Sequence, residues 1–184
     1  WERYWREFTG LGYAPVSPTA RTHRILWSGW TETARVQASH GIRMNLDHYH
    51  WGPALRDSAG VWVHGYMTGS GRPMRFVDAG GRILAIYQQA TQIADDHLLL
   101  LRWGGAPWGG EPNLGAERAV EVARALLAGS LQHHTAVTAN FHPDLFYVAP
   151  HAADETSRSE GARLLEGALD AAAELGIPMW PAQD

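Results

Sequence analysis

Helix-period and strand-period segments take turns at both ends of this chain, and that alternation restricts it to the α/β folds. Near the end, "GAERAVEVARALLAGS" puts Ala119, Val122, Ala123, Leu126 and Leu127 on one helical face. "TAVTANFH" then reads as a strand over Thr135–Phe141. "SRSEGARLLEGALDAAAELG" reads as a helix opened by a Ser157/Glu160 capping box, with Ala162, Leu165, Leu169 and Ala172 on one side and a stop at Gly176. "IPMWP" is a last short strand. The first quarter follows the same scheme. Trp1, Tyr4, Trp5 and Phe8 have helical spacing, and the Pro-rich "PVSPTA" connects to a strand ending in Ile25, Leu26 and Trp27. A helix capped by Thr31 runs to Gly41, and "IRMNLDHYHW" alternates Ile42, Met44 and Leu46 with Arg43, Asn45 and Asp47, a strand with one apolar face.

The middle breaks the scheme. Met74–Val77 and Ile83–Tyr87 flank Asp78-Ala79-Gly80-Gly81, a hairpin signal. Gly-, Trp- and Pro-rich loops lie on either side. The expectation is one domain over 1–184, with an antiparallel hairpin inserted at about 65–110 and lying outside a parallel sheet that contains Leu26, Met44, Val137 and Met179.

Composition removes several function classes. The 184 residues carry a net charge of -4 and no lysine, so no basic cluster exists to neutralise nucleic-acid phosphates. There is no cysteine, which excludes disulfides and thiolate zinc sites. The longest apolar run, "HLLLLRW", is too short to span a bilayer. No signal peptide is visible, and the opening Trp1 suggests a piece of a longer protein.

In parallel α/β folds, sites form where strands end and loops converge. Three polar groups fall at such ends. Arg21 and His23 lie beside the first strand. Asp47, His48, Tyr49, His50 and Trp51 follow the second. His142 and Asp144 follow Thr135–Phe141. Neighbouring parallel strands would turn them to one cleft, where a His serves as acid, base or metal ligand. A His after a strand also serves as an ordinary hydrogen-bonded residue. His133-His134 reads as a helix end, Asp95-Asp96 as a solvated turn, and "TGSG" as a Gly-rich turn without the Lys of a phosphate loop. The nine Trp are mostly packing residues. Those in loop-rich segments, Trp51, Trp103 and Trp108, have the flat, amphipathic face on which a sugar ring stacks.

"RTHRILWSGW", "GIRMNLDHYHWGP", "GYMTGSGRPMRFVD", "YQQATQIADD", "TANFHPD" and "GIPMWPAQD" together resemble the carboxyl-terminal half of polysaccharide-deacetylase-like (NodB-homology) domains, in the branch found in large bacterial secreted or surface proteins. The resemblance implies a partial distorted (β/α) barrel. It also implies a carbohydrate deacetylase or related amide or ester hydrolase, a glycan substrate, and a secreted or cell-surface location. A divalent metal, usually zinc, would serve the full-length parent, and no metal ligand can be assigned in this chain. "TANFH" matches the motif that ends in the acid His, here His142. "RTHR" takes the place of the motif whose Arg orients the catalytic base, which gives Arg21 that role, although Thr22, His23 and Arg24 do not reproduce the rest of it. Asp144 is expected to orient His142. His23, Asp47, His48, Tyr49 and Trp51 are expected around the substrate. No His-x-x-x-His occurs in the sequence, so the chain is expected to lack the amino-terminal half of its barrel and to hold zinc weakly or not at all. Two other readings fit the same residues: a catalytically silent carbohydrate-binding barrel using Trp51, Tyr49 and Trp108, and a structural module of a surface protein.

Overall fold

The computed structural model describes residues 1–14, 17–22, 27–49, 55–56, 62–63, 71–99, 115–142 and 155–180; for 48–49, 55–56, 62–63, 96–97 and 155–159 it describes the backbone alone. The elements are α1 (Glu2–Gly10), β1 (Thr19–Ala20), α2 (Glu32–Ser39), β2 (Met44–Tyr49), β3 (Leu55–Arg56), β4 (Trp62–Val63), β5 (Met74–Val77), β6 (Ile83–Ala94), α3 (Asp95–Leu98), α4 (Gly115–His133), β7 (Thr138–Asn140) and α5 (Glu155–Glu174). Among the described residues the fold is mixed α/β around a five-stranded sheet, with β3 and β4 forming a separate antiparallel pair. The chain divides into two compact units, and β6 contributes residues 83–90 to the first and 91–94 to the second.

In the first unit the strand order is β1-β2-β6-β5. β1 pairs parallel with β2, Thr19 opposite Met44. This strand forms inside the stretch expected to be a Pro-rich connector; of the strand expected over 21–27, Arg21, Thr22 and Trp27 are not in a strand and residues 23–26 lie outside the described residues. β5 and β6 form the expected antiparallel hairpin, Arg75 opposite Tyr87. The hairpin is not outside the sheet, however, because β6 is one of its inner strands and runs seven residues past Tyr87 to Ala94. The core joins Ala20, Ala34, Ile42, Leu84 and Ile86, with Trp5, Trp27 and Phe76 packed against it.

Strand β2 reverses the expected sidedness. Asn45 and Asp47 are the buried residues, while Met44 and Leu46 are half-buried. The polar side tolerates burial because it is internally hydrogen-bonded. Asn45 Nδ2 donates to Gln37 Oε1 on α2 (2.9 Å) and to Asp47 Oδ2 (2.8 Å), and Asn45 Oδ1 accepts the Asp47 N–H.

In the second unit, α4 and α5 pack on each other and on the end of β6. Ala119, Val122, Ala123 and Leu126 meet Leu164, Ala168, Ile93, Leu98 and Leu99. The buried face of α4 is the expected one, Ala119 to Leu127. That of α5 is rotated from the expectation. Gly161, Leu164, Ala168, Ala171 and Ala172 are buried and Leu169 is exposed. The reason is close approach: a Cβ on Gly167 would lie 2.5 Å from Val120 Cγ2, so small residues of α5 face α4. Helix α5 is already helical at Glu155, which places Ser157 inside the helix rather than at its cap. Ile177–Trp180 forms no strand, and Pro178 there has no N–H to give a ladder.

Candidate functional site

Strand β7 lies parallel to the end of β6, with Thr91 opposite Thr138, Ile93 opposite Ala139 and Ala94 opposite Asn140. Two steps along β6 thus match one along β7, a bulge at Gln92. Its side chain fills the gap: Gln92 Oε1 accepts the Thr138 N–H at 2.7 Å. Bulges bend a strand and re-aim the residues beyond it. The residues beyond this one are Asp95, directly after β6, and His142, two residues after β7, at the carboxyl ends of two parallel neighbours.

There the two side chains meet. His142 Nδ1 lies 2.7 Å from Asp95 Oδ1, and the His142 main-chain N–H donates to Asp95 Oδ2, also at 2.7 Å. Asp95 is wholly buried, while the imidazole keeps about 23 % of its surface exposed. A buried carboxylate is costly unless its oxygens are hydrogen-bonded, and here one residue satisfies both of them. The Asp95 main chain is fixed too, since its carbonyl accepts the Leu99 N–H at the end of α3. A carboxylate oxygen beside Nδ1 is an acceptor, so the neutral ring is held there as the Nδ1–H tautomer.

His142 is therefore found just past the end of its strand, as expected, and the Asp95 carboxylate holds its ring. The expectation of a solvated turn at Asp95-Asp96 fails for Asp95, whose burial is set by a partner 47 residues away. Asp144, His23 and Trp51 lie outside the described residues. His48 and Tyr49 continue β2, with only their backbones described.

Arg21 and Asp47 fall in the first unit and His142 in the second. Arg21 directly follows β1 and borders a cavity of about 390 Å³ shared with Trp1, Trp5 and Phe8 of the α1 region. Asp47 is buried on β2, and its Oδ1 accepts the Thr22 N–H, so the segment after β1 is tied to the end of β2. The structure thus brings the Arg21–Thr22 segment to Asp47. Asp47 also borders a second cavity of about 540 Å³, lined by Trp27, Trp30, Arg75, Phe76 and Gln88.

No group of three or more His, Asp or Glu among the described residues is placed to hold a divalent metal. No helix among the described residues is long and apolar enough to cross a membrane. No family model, curated protein or solved structure matches this chain.

Proposed function

We propose that the chain carries the proton-transfer group of a carbohydrate deacetylase-like hydrolase, acting on an amide or ester of a glycan, with His142 as general acid and Asp95 as the residue that positions it. One observation supports this reading: a wholly buried carboxylate fixes both the ring and the main chain of a partly exposed His at the carboxyl end of a parallel strand pair.

In such a hydrolysis, water adds to the acyl carbon and gives a tetrahedral adduct. Its C–N or C–O bond breaks readily only as the leaving atom gains a proton. The imidazolium supplies that proton from Nε2, and the ring returns to the Nδ1–H tautomer that Asp95 holds. Asp95 stabilises the cationic form by charge and keeps the ring from turning. The NodB-like resemblance further implies a distorted barrel, a secreted or surface protein and a divalent metal, with zinc foremost, to activate the water. Its ligands would lie outside the described residues.

The test is acetate release by the full-length protein from tetra-N-acetylchitotetraose and from acetylated xylotetraose. Asp95→Asn keeps the shape and removes the charge, and the rate should fall by about tenfold or more. Absence of acetate from both substrates in the unmodified protein, or full activity in Asp95→Asn, ends this reading.

A further inference from the structure

The 540 Å³ cavity of the first unit has no part in the proton transfer. Its volume lies within the roughly 300–1,000 Å³ of small-molecule pockets. Two of its walls are aromatic. Trp27 and Phe76 stack with ring centroids 5.4 Å apart and planes at 15°. Trp30 stands at the rim with 76 % of its surface exposed, a large apolar area to leave in water.

The Trp30 indole stands on a fixed turn. Trp27 Nε1 donates to the Trp30 carbonyl at 3.1 Å, which satisfies the indole N–H of Trp27 and ties the two residues together. Ser28 N–H donates to Thr33 Oγ1, and Thr31 N–H donates to Glu32 Oε2, both at 3.1 Å. The main-chain N–H groups of Glu32 and Thr31 hold the Glu32 carboxyl below the usual carboxylate range, so it stays an acceptor at neutral pH. Gly29 has φ +65°, and a Cβ there would overlap the Glu32 carboxylate. A turn held by local bonds over 27–33 preorganises the aromatic residue that it carries for contact.

The rest of the lining selects the ligand. Arg75 is exposed there and disfavours an ammonium or other cation. The half-buried Gln88 would lose water without replacement against a purely apolar ligand. Asp47 and Thr31 are buried, and both Asp47 oxygens already accept hydrogen bonds within the protein. A pyranose ring answers both conditions: its C–H face covers an indole, and its hydroxyl edge meets amide and guanidinium groups. We infer that this cavity is a sugar-binding site in which a pyranose ring of a glycan stacks on Trp30 and its hydroxyls hydrogen-bond to Arg75 and Gln88. The inference shares a glycan with the functional reading, but none of its residues belongs to the His142–Asp95 pair.

The test is titration of the intact protein with cellotetraose, tetra-N-acetylchitotetraose and tetragalacturonate, followed by tryptophan fluorescence and calorimetry. Saturable binding of at least one is expected. Trp30→Ala should weaken it about tenfold or more, Trp30→Phe should restore part of the loss, and Gln88→Ala should weaken it less. Trp30 is exposed, so the fold should survive, as circular dichroism would check. His142→Ala should leave binding unchanged. Binding of none of the three sugars, or binding that Trp30→Ala does not alter, overturns the inference. Loss of acetate release in His142→Ala with unaltered binding in Trp30→Ala removes the sugar site alone. The opposite pattern removes the functional reading alone.

Discussion

Asp95 holds His142 twice, through Nδ1 of the ring and through the main-chain N–H, each at 2.7 Å. A single hydrogen bond would leave the imidazole free to rotate about its own axis. The second bond fixes the strand end that carries it, so the ring and its support are positioned by one carboxylate. The first expected outcome is spectroscopic. Nitrogen-15 spectra of the neutral side chain should show His142 protonated at Nδ1, and Asp95→Asn should give a mixture of tautomers. A predominantly Nε2–H ring in the unmodified protein would break the assigned geometry.

Helix α5 is expected to be sensitive at a position without a side chain. A Cβ on Gly167 would meet Val120 Cγ2 at 2.5 Å and Cγ1 at 2.9 Å. Gly167→Ala should destabilise by about 1–3 kcal/mol through overpacking, despite the better helix propensity of Ala. Val120→Ala in the same chain should recover part of that loss. Urea unfolding of the two single variants and the double variant measures the coupling, and additive effects would mean that the helices do not touch there.

The polar side of β2 should behave as core. Asn45→Ala removes the donor to Gln37 Oε1 and Asp47 Oδ2 and the acceptor of the Asp47 N–H. Each buried group left without a partner costs about 1–3 kcal/mol. A thermal or urea midpoint equal to that of the unmodified protein would contradict the network.

The β5–β6 turn gives a pH dependence of definite sign. The Asp78 carboxyl is held below its ordinary range, first by the Arg82 N–H, then by the Gly80 N–H and the Arg82 guanidinium. A carboxylate with a lowered folded value stabilises the fold above its unfolded value, and the contribution is lost as pH falls through the folded value. The unmodified protein should therefore exceed Asp78→Ala in stability at neutral pH, with the gap narrowing in strong acid. A gap that widens on acidification would reverse the sign.

The sequence carried the elements whose signals are local. The α4 face was legible because Ala119 to Leu127 keep helical spacing, and the β5–β6 turn because Asp78 and two glycines mark it. The true length of β6 was hidden because Gln88, Gln89, Thr91 and Gln92 interrupt the apolar alternation, although they are buried or half-buried in the sheet. The face of α5 was misjudged because glycines, with no apolar side chain to count, make its closest contact. In the candidate site, His142 was legible as a polar residue ending a strand. Asp95 was not, since two adjacent acids read as surface and the partner that permits burial is 47 residues away. The available signal was an acid placed directly after a long extended segment.

The central claim, that His142 is the acid, meets its most direct test in acetate release by the full-length protein carrying His142→Ala or His134→Ala. Both change a histidine to the same residue, but His134 is exposed at the end of α4 with φ 51° and touches no part of the pair. Loss of a positioned general acid lowers a rate by about a hundredfold to ten-thousandfold. His142→Ala should fall in that range with its fold intact, and His134→Ala should stay near the unmodified rate. Equal activity in the two variants would make His142 a packing residue and contradict the account.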